Sequence, residues 1–504
     1  MGDRPAAVLV LVAACSQPSG IPPDTARFDE VTPTIVVGAP DRILLLGTVV
    51  TPDIAFVGSV LVEGDAITCV DTADVCSQFP AATGATIIDT KAVIAPGLVD
   101  THNHILFDMF DETDWAPPAL YADHDQWPSD PKYLAMLDVK QCLVNDSQGK
   151  PAWCANTVYG TAAGSLRCEA DKWGELKGLI AGTTSIVGLP GTSSACFGSL
   201  ARSVDVAQGG LNQDTIQTSA TFPPSNGTGV CTNFGTGKTT AFLVHAGEGI
   251  DPKSLNEFAT LGTTATPNGC LYVPQTTITH GTAFTAAEFT AMAAAGMKLT
   301  WSPKSNVVLY GATADIPTAL DAGVTVALAP DWSISGSQNL LDEMRFADQW
   351  DNDHWADRLH APDLVAMATS HGAQVLALSN KLGTLAPGYL ADIAVFAGDV
   401  THPFDAIVAA RPHDVRLVMV GGTVLYGDAT LAAAGPVAPG CEAVDVCDGA
   451  KFLCTATTST ASKLNQTSTE IHDALSQALV DADAQTPADG YDFAPLAPLV
   501  SCAN

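Results

Sequence analysis

Short apolar runs recur through the middle of the sequence, and stretches with helical spacing lie between several of them. Residues 285–288 read Thr-Ala-Ala-Glu, a capping box that predicts the start of a helix, and residues 338–350 form an amphipathic helical pattern. Because strands and helices alternate, we predict parallel βα units. Residues 96–382 are long enough for a (β/α)8 TIM barrel, which takes about 250 residues. The runs that predict buried strands are "TTSIVG" (183–188), "AFLVH" (241–245), "TTITH" (276–280), "MKLTW" (297–301) and "VTVALAP" (324–330).

The regions on either side of the predicted barrel contain β-rich runs separated by Gly and Asp turns. They span residues 33–95 and 383–435, and we expect them to assemble into one small split β-sandwich domain. Residues 16–32, rich in Pro, Ser and Asp, are typical of a linker. Residues 436–504 predict a Cys-rich C-terminal extension with no visible chemistry. The predicted fold class is therefore α/β.

The composition indicates a well-packed globular protein, with 47% hydrophobic and 15% charged residues. The 54 acidic and 22 basic side chains give a formal net charge of -32. Because this charge repels phosphate backbones, we exclude nucleic acid as a partner. The charge does not identify a substrate, and the sequence leaves the oligomeric state open, with a homo-oligomer as one alternative.

The N-terminal segment predicts export. An apolar run over residues 6–14 is too short to span a bilayer, but it has the length of the apolar region of a signal peptide. The run leads into Val-Ala-Ala-Cys, which resembles a bacterial lipobox, so we predict a signal peptide over residues 1–15 with Cys15 as the lipidated residue. The protein would then be a periplasmic or cell-envelope lipoprotein, attached to the membrane only through this lipid. An unprocessed apolar terminus is the alternative.

Cysteine usage fits the same compartment. The chain has 13 Cys, so setting Cys15 aside leaves an even number, as a disulfide framework in an oxidising compartment requires. Cys69 with Cys76 and Cys441 with Cys447 are close enough in sequence to be candidate bridges. Buried free thiols are the alternative interpretation.

Potential metal ligands follow several of the apolar runs. Asp100, His102 and His104 alternate after the first run of the barrel, so their side chains point the same way on an extended strand. Two later runs end in His245 and His280, and a third is followed directly by Asp331. Active sites of barrels lie at the carboxyl ends of the strands, and this set of side chains suits Zn²⁺ or a similar divalent ion.

The sequence resembles the amidohydrolase superfamily, and most closely its branch of cytosine and guanine deaminases and triazine hydrolases. The resemblance covers roughly residues 34–430 and implies the same barrel with a split β-sandwich. It implies His102, His104, His245 and Asp331 as metal ligands. It also implies catalytic roles for Glu248, which would shuttle protons, for His280, which would orient water and polarise the substrate, and for Asp331, which is an alternative acceptor of the water proton. The motifs that carry the resemblance are "PGLVDTHNH", "HAGE", "ITH", "SPKSN", "APD" and "LGTLAPGYLADIAVF".

One divalent ion is expected, with zinc favoured and iron as the alternative. Members with two ions use a carboxylated Lys or another bridging ligand on a middle strand, and no Lys here closes an apolar strand run. The segment "TWSPKSN" departs from deaminase relatives, because Trp301 stands where they usually carry His. Since this segment borders the pocket in relatives, Lys304 and Asn306 are candidate substrate contacts.

The sequence thus predicts a metal-dependent hydrolase that acts on carbon–nitrogen bonds other than peptide bonds, through water attacking an amide, amidine or ring C=N carbon of a small molecule. One alternative is an amidohydrolase with one or two metal ions that cleaves acyl-amino acids, lactams or dipeptides. Another is a non-catalytic binding lipoprotein of the envelope. Metal stoichiometry separates the first two, and the effect of Glu248→Gln on turnover separates an enzyme from a binding protein.

Overall fold

The structure is a computed structural model that describes residues 31–146, 149–188, 200–205, 211, 215–437, 440–457, 465–486 and 490–502. The predicted signal peptide, its Cys15 and nearly all of the predicted linker lie outside the described residues. Among the helices of these described ranges, none combines the length and the apolarity that a membrane crossing requires.

The described strands fall into three groups along the chain. Five precede the middle region: β1 (Thr34–Val36), β2 (Ala39–Val50), β3 (Ala55–Glu63), β4 (Ala66–Thr72) and β5 (Ala85–Pro96). Eight lie within it: β6 (Leu98–Asp100), β7 (Thr183–Ile186), β8 (Arg202–Ser203), β9 (Ile216–Ser219), β10 (Ala241–Ala246), β11 (Thr276–His280), β12 (Lys298–Trp301) and β13 (Thr325–Leu328). Five follow: β14 (Ile393–Phe396), β15 (Val415–Val420), β16 (Thr423–Asp428), β17 (Glu442–Val446) and β18 (Gly449–Leu453).

The α-helices alternate with the middle strands and continue beyond them. They are α1 (Pro131–Leu143), α2 (Arg167–Ile180), α3 (Gly227–Thr236), α4 (Pro252–Thr264), α5 (Ala286–Ala294), α6 (Pro303–Tyr310), α7 (Ile316–Asp321), α8 (Leu340–His354), α9 (Ala361–Met367), α10 (Ser370–Val375), α11 (Pro403–Ala409) and α12 (Ser468–Asp483). The mixed α/β class predicted from the sequence is confirmed.

Local sequence accounts for these elements. Every residue of β10, "AFLVHA", is buried, as expected for a parallel strand that is covered on both faces. Helix α5 begins with the predicted capping box, in which the Thr285 side chain accepts from the backbone and the Glu288 carboxylate accepts from the Thr285 N–H at 3.0 Å. The helix is followed by Gly296, whose φ of +69° favours glycine.

The eight middle strands are all parallel and form two sheets. One has the order β13-β12-β11-β10-β9, and the other has the order β6-β7-β8. A parallel bridge between Asn103 and Asp331 joins the carboxyl end of β6 to that of β13. Among the described residues no ladder connects β8 to β9, so the closed barrel remains a prediction.

The flanking segments meet in a single ten-stranded sheet. Its order is β17-β18-β16-β15-β14-β5-β2-β3-β4, with β1 also paired to β5. The link between the two flanks is the antiparallel pair β5–β14, in which Pro96 lies opposite Ile393. The sheet runs on into β17 and β18, beyond residue 435, where we had predicted the split domain to end. The division of this sheet into a two-layer sandwich remains a prediction.

A buried ion pair connects the parallel strands to the flanking sheet. Arg202 of β8 donates from Nε and from Nη2 to the two carboxylate oxygens of Asp392, both at 2.8 Å. Asp392 also accepts from the Gly421 N–H through its side chain and from the Gly97 N–H through its carbonyl. The bidentate pair fixes the residue before β14 against β8, and the bond from Gly97 fixes it against the start of β6, the strand that leads to the HxH motif.

The C-terminal extension packs against the segment that follows the HxH motif. Trp173 of α2 donates through Nε1 to the Ala497 carbonyl at 3.2 Å, and the Ala497 N–H donates to the Met109 carbonyl at 3.2 Å. Phe493 contacts Phe110, with ring centroids 5.8 Å apart. The extension therefore covers α2 and helps to position residues 109–110.

Five disulfides lie among the described residues, and one predicted pair is wrong. The bridges are Cys69–Cys76, as predicted, together with Cys142–Cys154, Cys231–Cys270, Cys441–Cys454 and Cys447–Cys502. Cys441 does not pair with Cys447, because β17 and β18 form a hairpin that pairs Glu442 with Leu453. That register brings Cys441 opposite Cys454 and leaves Cys447 in the turn at the other end of the hairpin.

Candidate metal and catalytic site

Four histidines and two carboxylates converge at the carboxyl ends of the parallel strands. Their side chains are buried except for His104, which is partly exposed. Three groups among them have ligand atoms that all lie within 4.8 Å of one another. These groups are His102 with His104 and His245, His102 with His280 and Asp331, and His245 with Glu248 and His280.

We call His102, His104, His245 and Asp331 the ligand face. His102 Nε2 lies 2.8 Å and His104 Nε2 lies 3.5 Å from the same oxygen, Oδ1 of Asp331. The ring centroids of His102 and His245 are 4.6 Å apart. All four side chains that the sequence predicts as metal ligands are therefore in one cluster.

Backbone hydrogen bonds hold Asp331 in register with the HxH motif. The His104 N–H donates to the Asp331 carbonyl at 2.7 Å, and the Asp331 N–H donates to the His102 carbonyl at 3.2 Å. Asp331 has a φ of +70° and His280 a φ of +75°, in the left-handed region that non-glycine residues rarely adopt. Strained backbone of this kind at two site residues is typical of functional positions, because the surrounding structure must maintain it.

Burial keeps the histidines of the ligand face neutral. It lowers the pKa of His102 and of His245 to about 3. Since the His245 Nδ1–H donates to the Ser219 carbonyl at 2.9 Å, its lone pair is on Nε2, which faces the cluster. A neutral imidazole held in this way is the form that ligates a metal ion.

We call Glu248 and His280 the proton-transfer face. Oε1 of Glu248 accepts from the Tyr310 hydroxyl at 2.7 Å, and Oε2 lies 3.9 Å from His280 Nε2. Burial is the main reason that the pKa of Glu248 rises to about 7, and the charge of His124 opposes that rise. A carboxyl group with such a pKa exchanges protons near neutral pH, as a general acid or base requires.

His124 flanks Glu248 from the long connection between β6 and α1. Its Nε2 lies 2.9 Å from Glu257 Oε1, and its Nδ1 lies 3.9 Å from Glu248 Oε2. Burial alone would lower the pKa of His124, but the hydrogen bond to Glu257 and the charge of Glu248 raise it to about 9. The connection is held in place by an antiparallel bridge between Asp123 and Gly249.

Aromatic side chains line the site beside His104. Trp332 lies 5.4 Å from the His104 ring, and it contacts Trp127 with centroids also 5.4 Å apart. Tyr133 packs edge-on against Trp127 at 4.9 Å. Trp127 in turn donates through Nε1 to the Tyr310 hydroxyl at 3.0 Å, so this aromatic cluster supports the proton-transfer face.

Sequence reasoning missed His124 and Tyr310. Tyr310 lies four residues after Asn306 on α6, on the same side of the helix, so the helical period could have identified it. His124 lies in a connection without a regular pattern, and no local signal identifies it.

Both predicted substrate contacts, Lys304 and Asn306, lie on α6. Lys304 is partly exposed, with Nζ 3.8 Å from Glu112. Asn306 is fully buried, and its amide contacts Thr313 and His280 rather than an open surface. Their contact with a substrate remains a prediction.

Part of this site lies in a stretch of the chain that is similar to a known protein family. Residues 233–425 match the amidohydrolase family. The matched stretch contains His245, Glu248, His280 and Asp331, whereas the HxH motif precedes it. This stretch, less than half of the chain, is similar to that family.

The proteins to which this chain is similar include deaminases. The chain is 33% identical over 170 residues to a 5-methylthioadenosine/S-adenosylhomocysteine deaminase from Nitratidesulfovibrio vulgaris, a match that covers 31% of this chain and only 38% of that enzyme. It is 24% identical over 408 residues to a 5'-deoxyadenosine deaminase from Methanothermobacter thermautotrophicus, which covers 74% of this chain and 90% of that one.

Among solved structures, an atrazine chlorohydrolase from Arthrobacter aurescens TC1, complexed with zinc, is similar over 79% of this chain and 96% of its own. The TM-score is 0.54 and the identity is 17%. At that identity the likeness is one of fold. It covers more of the chain than the stretch that matches the amidohydrolase family.

Proposed function

We propose that this protein is a metal-dependent hydrolase of carbon–nitrogen bonds other than peptide bonds, acting on a small molecule in the manner of a deaminase. The observation that carries the proposal is the contact between the ligand face and the proton-transfer face at one set of strand ends. The amidohydrolase match over residues 233–425 and the deaminases among the relatives support it. We also propose that the eight parallel strands close into a (β/α)8 barrel and that the flanking sheet is a split β-sandwich.

The donors of the ligand face fit one divalent ion. Three imidazoles and a carboxylate are a set that zinc prefers, and zinc is named in a similar solved structure. His102, His104, His245 and Asp331 would hold the ion. When bound, such an ion lowers the pKa of water from 15.7 to about 7 and so provides a nucleophile near neutral pH.

Glu248 is placed to move the proton. Its Oε1 is engaged by Tyr310, so Oε2 is the oxygen that is free to accept a proton from the attacking water. The same oxygen then delivers the proton to the nitrogen that leaves. Water thus loses an O–H bond, carbon gains a C–O bond and loses its C–N bond, and the nitrogen departs as ammonia or an amine.

His280 completes the proton-transfer face. Its Nε2 lies on the same side as Glu248 Oε2, at 3.9 Å. There it can orient the attacking water and polarise the carbon that is attacked. The aromatic ring of Trp332 beside His104 provides an apolar wall that suits a planar substrate and limits bulk water.

Glu248→Gln tests the proposal directly. The substitution keeps the size of the side chain and removes its proton transfer, so turnover should fall by about 10²–10⁴-fold while bound metal is unchanged. Ammonia release is measured on purified metal-loaded protein against purine nucleosides, guanine, triazines and simple amides, and metal is measured by mass spectrometry. Glu63→Gln, at an exposed position at the end of β3 in the flanking sheet, is the matched control.

Two outcomes would reject the proposal. Full turnover by the Glu248→Gln variant would remove Glu248 from the reaction. Failure of the metal-loaded wild-type protein to release nitrogen from any of these substrates would favour a binding protein.

We further propose export with lipidation at Cys15, and the formation of disulfides in the described chain supports an oxidising compartment. Metabolic labelling with radioactive palmitate should mark the wild-type protein and leave Cys15→Ser unlabelled. Equal labelling of both would reject Cys15 as the site. Size measurement of the purified protein will decide whether it forms a homo-oligomer.

A further inference from the structure

We propose that Trp301 is a positioning residue that acts through Thr313 and Asn306 to hold His280 in the tautomer with its proton on Nε2. This keeps His280 a hydrogen-bond donor and withholds it from metal ligation. The inference deepens the proposed function and rests on it for its consequence in the reaction.

A continuous hydrogen-bond chain leads to His280 from the end of β12. Trp301 Nε1 donates to Thr313 Oγ1 at 2.7 Å. The Thr313 hydroxyl donates to Asn306 Oδ1 at 3.3 Å, and Asn306 Nδ2 lies 3.0 Å from His280 Nδ1.

The direction of this chain follows from the donor and acceptor at each of its three hydrogen bonds. An indole N–H can only donate, so the Thr313 oxygen accepts from Trp301. The single hydrogen of that hydroxyl is then directed at the carbonyl oxygen of Asn306. This leaves the amide NH₂ of Asn306 facing His280, and because the NH₂ can only donate, Nδ1 of His280 must be the acceptor.

The proton of the neutral His280 ring is therefore on Nε2. That nitrogen faces Glu248 Oε2 at 3.9 Å, on the side where the substrate would react. A nitrogen that carries a proton has no lone pair to offer a cation. His280 belongs to both of the ligand groups outside the His102–His104–His245 set, so its tautomer withholds a ligand from each of them.

His245, on the neighbouring strand β10, is held in the opposite tautomer. β10 and β11 pair in parallel with His245 opposite Thr279, so His245 and His280 are one position out of register. His245 Nδ1 donates to the Ser219 carbonyl, which can only accept, and so presents a lone pair on Nε2. Two adjacent histidines thus present different groups to the same space, one a lone pair and the other a proton.

Burial makes the chain effective. Trp301 and Asn306 are both fully buried, and Trp301 packs against Trp355 with ring centroids 5.7 Å apart. Water therefore has little access to the Trp301 and Asn306 ends of the chain, where the low-dielectric surroundings strengthen the hydrogen bonds. The role explains why a tryptophan occupies the end of β12.

The test reads the tautomer directly from ¹⁵N chemical shifts of histidine-labelled, zinc-loaded protein, with His280 identified by its absence in His280→Gln. We expect Nδ1 of His280 to be unprotonated and Nε2 to be protonated in the wild-type protein. Thr313→Val removes the hydroxyl at nearly constant shape and should shift this pattern toward the other tautomer. Thr313→Ser keeps the hydroxyl and should restore the wild-type pattern.

Asn306→Asp supplies a second measurement that needs no substrate. A carboxylate can only accept, so it would draw the proton to Nδ1 and free Nε2 of His280 as a ligand. We expect the ¹⁵N shifts of this variant to show a protonated Nδ1 and an unprotonated Nε2, the reverse of the wild-type pattern. Trp301→Phe should shift the tautomer as Thr313→Val does.

A protonated Nδ1 on His280 in the wild-type protein, or an unchanged pattern in Thr313→Val, would overturn the inference. A wild-type tautomer in Asn306→Asp would overturn it as well. If the tautomer is as proposed but no substrate releases nitrogen, the proposed function fails and the positioning role stands.

Discussion

The ligand face and the proton-transfer face lie side by side, yet they are supported in different ways. Members of the ligand face lie at or just after strand ends, and they contact one another directly through Asp331. The proton-transfer face depends on side chains from a helix and a long connection, among them Tyr310 and His124. Strand register thus places the ligands, whereas hydrogen-bond donors from the connections decide where the protons are.

The largest effect that separates the two faces is expected from His245→Ala. It removes an imidazole from the ligand face, so bound metal and turnover should both be lost. Metal analysis of the purified variant and an ammonia assay measure the two. The exposed His402 provides the control, because His402→Ala should change neither. Retention of full metal content by His245→Ala would remove this residue from the ligand face.

A smaller effect is expected from Tyr310→Phe, which acts on the proton-transfer face alone. The lost hydrogen bond to Glu248 is one to a charged group, worth about 1.5–3 kcal/mol, so kcat should fall by about 10–100-fold. Metal content should stay the same. Tyr389→Phe is the matched control, because its hydroxyl donates to the Ser379 carbonyl. A loss of metal in Tyr310→Phe would show that the two faces are not separable.

A pH-dependent effect on stability is expected from His124. Its pKa in the folded protein, about 9, is above the unfolded value of 6.5, so its stabilisation is complete below pH 6.5 and is lost as the pH rises through 9. His124→Gln should remove this contribution. The difference in melting temperature between the wild-type protein and the variant should therefore shrink by a few degrees, about 2–4 °C, between pH 6.5 and 9. A constant difference would show that His124 is not charged in the folded protein.

The smallest effect is expected from Lys304→Ala. Lys304 forms a partly exposed ion pair with Glu112, so its removal should change the free energy of unfolding by less than about 1 kcal/mol. Denaturant unfolding measures this, and kinetics on the same variant test the predicted substrate contact. A higher KM at unchanged kcat will confirm that contact, and an unchanged KM will discard it.

The sequence predicts the ligand face better than its surroundings for a physical reason. A buried parallel strand is a short apolar run, so a polar residue such as His245 at its end is visible in the sequence and its direction follows from the strand. The position of His124 depends on how residues 105–130 cross the site. This segment has no periodic pattern of apolar residues from which its path could be predicted. The sequence predicts Asn306 as a substrate contact, but only the packing around α6 reveals that its amide contacts His280.

The disulfide pairs of the C-terminal extension also could not be predicted from the sequence. Sequence distance favoured Cys441 with Cys447, whereas the hairpin register of β17 and β18 decides the pairs. Cys69–Cys76 could be predicted because its two ends lie on either side of one short connection. Spacing in the sequence can predict a disulfide across one short connection, but it cannot predict a disulfide that depends on how two strands pair.

The pairing of β5 with β14 has a consequence for how the chain is made. Pro96 leaves the ribosome long before Ile393, its partner in the sheet. At a translation rate of about 5–20 residues per second, the delay is roughly 15–60 seconds. During that interval the edge of β5 that pairs with β14 is without its native partner, so the two flanks of the sheet join only after all the parallel strands of the middle region have been synthesised.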